Sequence, residues 1–333
     1  MINIELYNSY KLCQKLFLKH SKSYYLGAML FNFEKFKHIC AFYGLVRTAD
    51  DIVDNSTELT KKKENLTAFC YEFFTLYDLY YVNQIPINSK EWEKYHPIMR
   101  AVFHTIIIIG LPRTLFERFF NSMKMDLEKH NYKTFTELED YMDGSAAVVG
   151  EIMLYIMSHK CDYYDDDKFT ILKRYSRDLG IAFQLTNFIR DIKEDLIMIP
   201  SRIYIPKYFL DCYDINFDDY NKTKIIDAKF KDFMNCQFDL NKEIYNNAQF
   251  GINELHPEHR IAIQTSKNLY SEILLYIEKA DYAVFGERIV VPFGDKLKIM
   301  YKTIPTFHFF KMMINYITYT YFTIIHFSFN QFN

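Results

Sequence analysis

Residues 40–54 read CAFYGLVRTADDIVD and residues 180–195 read GIAFQLTNFIRDIKED. In the first stretch Tyr43, Arg47, Asp50 and Asp54 stand at i, i+4, i+7 and i+11, so a helix sets all four on one face. Phe42, Leu45, Val46, Ile52 and Val53 surround them with apolar side chains. The second stretch repeats the arrangement with Gln184, Asn187, Asp191 and Asp195 at i, i+3, i+7 and i+11, again with apolar flanks. Polar groups in such a setting need partners, because an unpaired buried carboxylate is strongly disfavoured. Each helix offers two aspartates one turn apart, and facing helices would gather four carboxylates that repel one another unless cations are present.

Magnesium resolves that conflict. It prefers hard oxygen ligands, keeps several waters, and commonly bridges carboxylates to substrate phosphates. Two Asp-x-x-x-Asp helices around Mg²⁺ and a diphosphate make a site for ionising an allylic C–O bond, since the metal neutralises charge growing on the leaving group. Arg47 and Arg190 would add charge-assisted hydrogen bonds to the phosphate oxygens. One such motif alone is more often a solvated face or a salt-bridge partner. Two of them, each with an arginine and an amide or phenol on the stripe, point to a metal.

Around these stretches the 333 residues are rich in apolar and aromatic side chains, with 28 Tyr and 31 Phe but only nine Gly and eight Pro. That balance suits long helices better than a turn-rich β fold. Helical periodicity runs over roughly 4–20, 33–55, 60–82, 95–109, 113–129, 135–158, 168–195, 225–250 and 257–282, which predicts an all-α, single-domain helical bundle over about residues 1–300. Polar stretches at Ser56–Asn65, Cys161–Lys168 and Asp211–Lys224 read as loops or exposed helix ends. The apolar run Ala101–Leu111 is too short to span a bilayer and reads as a core helix.

A net charge of −2 and the lack of a basic stripe argue against nucleic acid as a partner. The six cysteines are scattered, with no paired spacing and no nearby histidine, and read as reduced thiols of an intracellular protein. The first residues lack a basic region followed by an apolar one, so no signal peptide is expected and the chain is expected in the cytoplasm or on a membrane surface. After Lys311 the remaining 22 residues carry no Asp, Glu, Lys or Arg. The aromatic-rich tail, 301–333, therefore has two readings, a cap on the bundle or contact with a membrane. No glycine arrangement matches a nucleotide fingerprint. Oligomeric state is not legible.

Several separated blocks between about His20 and Val291 carry a family resemblance. HSKSYY (His20–Tyr25), YGLVRTADDIVD, GSAAVVGEIM (Gly144–Met153), QLTNFIRDIKED, RIYIP and LYSEILLYIEKADYAVF together resemble the squalene/phytoene synthase family, head-to-head prenyl transferases with an isoprenoid synthase bundle around a central cavity. The resemblance implies that Asp50, Asp54, Asn187, Asp191 and Asp195 ligate Mg²⁺, with Mn²⁺ as a substitute. It implies that His20, Ser21, Lys22 and Ser23 line a diphosphate site, and that Tyr43, Arg47, Gln184, Arg190 and Tyr282 contact substrate, with Arg202 and Tyr204 nearby. The catalytic set would be Asp50, Asp54, Asp191, Asp195, Tyr43 and Arg47. Tyr43 and Tyr282 keep ordinary core packing as an alternative, and Lys22 and Ser23 keep helix capping.

The implied reaction ionises one prenyl diphosphate, joins the allylic cation to the double bond of a second to give a cyclopropyl diphosphate, then ionises that and rearranges. Proton loss ends the sequence in phytoene formation, while hydride from NADPH ends it in squalene formation. Tyr43 and Tyr282 would face the cations. Small residues at Gly27, Ala28 and Cys40 would leave space along the cavity for two C20 chains, hence geranylgeranyl diphosphate. The alternative is squalene or dehydrosqualene formation from farnesyl diphosphate; from another class, a non-catalytic assembly factor of the same fold. Three departures stand out: two extra residues between Asp195 and Arg202 (DLIMIPSR), Asp143 where many relatives have tyrosine, and the longer tail.

Overall fold

The computed structural model describes residues 4–54, 58–83 and 89–305. The helices in chain order are α1 (Ile4–His20), α2 (Lys22–Ala28), α3 (Phe33–Asp54), α4 (Leu59–Asn83), α5 (Met99–Ile109), α6 (Arg113–Asp126), α7 (Phe135–Met142), α8 (Val148–Ser158), α9 (Asp166–Arg190), α10 (Ile192–Leu196), α11 (Lys207–Cys212), α12 (Phe217–Thr223), α13 (Ala228–Asn253), α14 (Pro257–Lys279) and α15 (Phe293–Thr303). The described residues hold no strand; the RIYIP stretch makes a single parallel bridge, Asn131 to Ile203. The architecture is the all-α bundle expected, and the tail beyond residue 305 lies outside the described residues.

Local chemistry sets the helix ends. Asp165 caps α9 by accepting the Lys168 N–H at 2.8 Å, and Asp227 caps α13 by accepting that of Phe230 at 2.8 Å. Gly110, at φ 75°, ends α5 in a left-handed turn that a Cβ would strain, and Pro112 follows. The run before it is a core helix, with Ala101, Val102, Phe103 and Ile106 all buried.

Helix α9 runs through the middle, packed by α8, α13 and α14, while α3 lies against α1, α5 and α8. The small-residue block explains how α9 comes so close. A Cβ on Gly150 would collide with the Ser176 carbonyl, and one on Gly180 with the Ala146 carbonyl. Between α7 and α8 the chain takes a π turn at Asp143–Ala147, so the helix expected as one piece over 135–158 is three. The polar stretch at 211–224, expected as a loop or exposed helix end, holds the end of α11 and the whole of α12.

Candidate active site

Both aspartate stripes open on one cavity of about 520 Å³. From α3 come Tyr43, Arg47, Asp50 and Asp54; from α9 and α10 come Gln184, Asn187, Arg190, Asp191 and Asp195. The second stripe is not one continuous helix, because α9 ends at Arg190 and the backbone bends at Asp191 (φ −97°, ψ 19°). The hydrogen-bond ladder nevertheless persists, Asp191 N–H to Asn187 O at 2.8 Å and Asp195 N–H to Asp191 O at 2.9 Å. The register that puts Asn187, Asp191 and Asp195 on one face therefore survives the bend.

The carboxylates fall into two electrostatic groups. Burial, reinforced by Asp54, pushes the Asp50 carboxyl up to about 8 against the pull of Arg47. Burial and then Asp191 push Asp195 up to about 8 against the pull of Arg202. Asp191 goes the other way. Burial would raise it, but Arg190 (Nε to Oδ1, 2.6 Å) and a bidentate Arg288 (3.0 and 2.9 Å) hold it below the usual carboxylate range. Arg47 is paired with Asp51, not with Asp50 or Asp54. Arg202 Nη1 donates to Asp54 Oδ1 at 2.9 Å. The Nε atoms of Arg47 and Arg202 are buried and have no hydrogen-bond partner among the described residues, so both guanidinium groups keep a donor for an anion.

Amides and phenols complete the polar end. Asn187 Oδ1 accepts from Arg190 Nη2 at 3.0 Å and from the Tyr270 hydroxyl at 2.5 Å, and its Nδ2 donates to Gln184 Oε1 at 3.2 Å. Tyr43 stacks on Phe17, with ring centroids 4.1 Å apart, and Tyr24 on Tyr270 at 4.4 Å. Tyr204 stacks on Phe188 at 4.1 Å. Away from this end the wall is apolar, including Phe31, Ile39, Met157, Leu172, Ile252, Leu255 and Ile263.

Of the remaining expected residues, His20, Ser21, Arg202 and Tyr204 line the cavity. Lys22, Ser23 and Tyr282 do not. Lys22 is exposed on the first turn of α2, near Lys296, whose ammonium is lowered by burial and then by Lys22 and Arg190. Tyr282 is turned toward α13, where its hydroxyl donates to Asn235 Oδ1 at 2.6 Å and its ring packs on Phe238. Ala28 faces the cavity, but Gly27 and Cys40 do not. Gly27 instead lets α2 press on Ser266 of α14, and Cys40 is buried in the core close to Cys13.

Residues at this end that were not expected include Tyr24 and Tyr141 as well as the following three. Arg288 comes from the loop before α15, where no periodicity marks it. Tyr270 stands on α14 among apolar neighbours and reads as core. Asp126, the last residue of α6, follows Leu115, Phe119 and Ser122 at the same i, i+4, i+7, i+11 spacing, and all four are buried. That spacing was the available signal.

The family model for squalene/phytoene synthase matches residues 17–295. A phytoene synthase of Arthrospira platensis is 29% identical over 295 residues, covering 87% of this chain and 90% of the relative. A chloroplastic phytoene synthase of Daucus carota is 30% identical over 293 residues, covering 87% and 68%. Among solved structures, a dehydrosqualene synthase in complex with a ligand superposes with a TM-score of 0.75 at 20% identity, covering 90% of this chain and 96% of that one. The squalene synthase HpnC of Alicyclobacillus acidocaldarius superposes with a TM-score of 0.67 at 22% identity, covering 84% and 96%. At those identities the two structures speak for the fold alone.

Proposed function

The chain belongs to the squalene/phytoene synthase family and is a prenyltransferase, and from that premise we propose that it condenses two geranylgeranyl diphosphates head to head into phytoene. The observation that carries the reading is the meeting of the two aspartate stripes at the polar end of one otherwise apolar cavity. A diphosphate would sit at that end and its prenyl chain along the apolar wall.

The donor set suits Mg²⁺. Asp50 and Asp195 are carboxyls short of positive charge, and with Asp54, Asp191 and Asn187 they offer only hard oxygen ligands. No three acidic, His or Cys side chains among the described residues close around one point. Waters and diphosphate oxygens would complete the shell, as is usual for this ion. Bound there, Mg²⁺ would supply Lewis-acid stabilisation of the departing diphosphate; Mn²⁺ would serve in its place.

The chain's own groups do the rest. Arg47 and Arg202 would turn their unpartnered Nε donors to phosphate oxygens, and Arg190 and Arg288 would hold Asp191 ionised and oriented. Tyr43, Tyr24 and Tyr270 would present ring faces to the allylic cation. The apolar wall would keep water from intercepting it. Ser21 and His20 would fix the near edge of the diphosphate. The proposed C20 length is supported by the similarity to phytoene synthases and by Ala28 on the cavity wall; Gly27 and Cys40 lend it nothing.

No helix among the described residues is long and apolar enough to cross a membrane. A peripheral contact fits better. Exposed Ile197 and Ile199 flank Met198, which lines the cavity, and exposed Val290 and Phe293 follow Arg288, which also lines it. Lys224 lies near Lys193, whose Nζ donates to the Gly286 carbonyl at 2.6 Å, two residues before Arg288. An anionic bilayer would match both the apolar and the basic side chains and would deliver an isoprenoid substrate to the cavity.

Purified protein incubated with Mg²⁺ and either geranylgeranyl or farnesyl diphosphate, with and without NADPH, tests the reading by product mass. A C40 hydrocarbon that ignores NADPH is expected; a dominant C30 hydrocarbon overturns the substrate assignment.

A further inference from the structure

Two guanidinium groups close on Asp191. Its Oδ1 accepts from Arg190 Nε at 2.6 Å and from Arg288 Nε at 3.0 Å. Its Oδ2 accepts from Arg288 Nη2 at 2.9 Å and also from Arg190 Nη2. An ionised carboxylate has about four acceptor sites, so the two arginines together fill it. One turn back, Asn187 Oδ1 is filled in the same way by Arg190 Nη2 at 3.0 Å and the Tyr270 hydroxyl at 2.5 Å. Both side chains are expected cation ligands, and neither has an oxygen lone pair to spare while these bonds stand.

The two arginines are held differently. Arg190 ends α9, only 12% of its side chain is exposed, and it bridges Asn187 and Asp191. Arg288 comes from the loop between α14 and α15, its side chain is 52% exposed, and its hydrogen bonds among the described residues all go to Asp191. A half-exposed pair opens at lower cost than a buried one, because water takes the freed donors. Arg288 is therefore the member that can leave. It already lines the cavity, so it can turn from Asp191 to an anion there without crossing the bundle. Asp54 offers a contrast: Arg202 meets it through Oδ1 alone and does not fill it.

We infer that Arg288 is a latch on Asp191, filling the oxygens a divalent cation needs until a diphosphate draws it away, so that diphosphate and cation bind with positive coupling. The identity of the anion rests on the prenyl-condensation reading. Phosphate oxygens match the guanidinium fork as a carboxylate does. Moving Arg288 from Asp191 to the diphosphate therefore exchanges one anionic partner for another and leaves the guanidinium paired. Asp191 keeps Arg190 and regains open lone pairs, which the cation takes. With no anion to receive Arg288, a cation reaching Asp191 has to push that guanidinium into water and sit beside Arg190 with nothing to offset the added charge. Linkage makes the coupling reciprocal, so the cation tightens diphosphate by the same factor.

The test uses the full chain and reads binding alone. Mg²⁺ is titrated calorimetrically at fixed pH, first by itself and then with inorganic diphosphate, each time as a function of free Mg²⁺ and against a protein-free blank. For the wild type, diphosphate should lower half-saturating Mg²⁺ by about fivefold or more. Arg288→Gln should bind Mg²⁺ alone more tightly than wild type, by about fivefold, and lose most of the response to diphosphate. Arg288→Lys keeps the charge but has no fork to fill both oxygens, so it too should bind Mg²⁺ alone more tightly. Arg288→Lys equal to wild type would overturn the inference, because the gain in Arg288→Gln would then be one of net charge. Undiminished coupling in Arg288→Gln would overturn it as well. Weaker Mg²⁺ binding in that variant would do the same, making Arg288 a support of the cation site. A wild type that binds neither Mg²⁺ nor diphosphate would instead sink the underlying reading.

Discussion

Arg202 Nη1 stands 2.9 Å from Asp54 Oδ1, a bond between residues 148 positions apart that ties the segment after α10 to the last aspartate of α3. The backbone of Arg202 is fixed as well, its N–H donating to the Asp195 carbonyl at 2.9 Å. One residue thus touches the end of both stripes. Between Asp195 and Arg202, in DLIMIPSR, Ile197 and Ile199 sit at the surface.

Arg202→Met keeps most of the side-chain volume and removes the link. Turnover should fall by about tenfold or more, since Asp54 loses its orientation and the diphosphate loses a donor. Stability should drop by only about 1–3 kcal/mol, because Asp54 is partly exposed and water replaces the guanidinium. Thermal unfolding alongside steady-state kinetics checks both.

Asp50→Asn should separate stability from function. The folded-state pKa of Asp50 is raised to about 8, so the native state favours the protonated carboxyl. As pH rises from the ordinary carboxylate range toward 8, ionising it costs the folded protein stability, and the cost levels off above 8. Asparagine removes that cost. Without metal, the variant should melt above wild type at pH 8 and close to it at pH 4.5, while showing no measurable turnover at either. A variant that melts below wild type at pH 8 would contradict this account.

Magnesium binding should release protons. Asp50 and Asp195 hold protons up to about pH 8 and must lose them to ligate a cation. Half-saturating Mg²⁺ should therefore fall as pH rises from 6 to 8 and flatten above that. Calorimetric titration at pH 7 in two buffers of different ionisation enthalpy should give different apparent heats, with about one proton or more released per binding event. Identical heats would mean that the carboxyls are already ionised.

What the sequence made legible follows from what each residue does locally. Tyr43, Arg47, Asp50 and Asp54 were readable because four polar groups share one helical face among apolar neighbours and the pattern recurs at Gln184, Asn187, Asp191 and Asp195. Asp126 shows the same spacing with Leu115, Phe119 and Ser122, but one charge at a helix end looks like an ordinary terminus until Tyr141 and Tyr204 are seen to converge on it. The bend at Asp191 and the π turn at 143–147 leave the apolar period nearly intact, so periodicity passes over them. Tyr282 lies off the cavity lining: Asp281 and Tyr282 both take positive φ, 53° and 61°, so the phenol does not stay on the face that α14 would have continued. Arg288 sits in a loop, where only the fold brings it to Asp191.

Chain length should respond to Ala28 but not to its neighbour. Ala28 lines the cavity, so Ala28→Phe would fill part of it and shift preference from geranylgeranyl toward farnesyl diphosphate, read as a change in the C40 to C30 product ratio in a competition assay. Gly27→Ala would push against Ser266 instead. It should lower the melting temperature without moving the ratio. A ratio change from Gly27→Ala would mean that α2 sits differently in the working enzyme.

Membrane contact, if it forms at the cavity mouth, should depend on the loop beside Met198. Ile199 is 91% exposed and Ile197 59% exposed, an arrangement with no use inside the bundle. Ile197→Ser with Ile199→Ser removes two apolar side chains that would otherwise enter the headgroup region, at about 1 kcal/mol or more each. Sedimentation with vesicles containing about one-third anionic lipid should show binding of the wild type that weakens at least tenfold in the double variant. Salt should weaken it further, because Lys193 and Lys224 would contribute by charge. Turnover of substrate dispersed in detergent should stay at the wild-type level, since neither isoleucine faces the cavity. Unchanged vesicle binding would move the contact elsewhere on the chain, and loss of detergent-phase turnover would mean that the loop shapes the site itself.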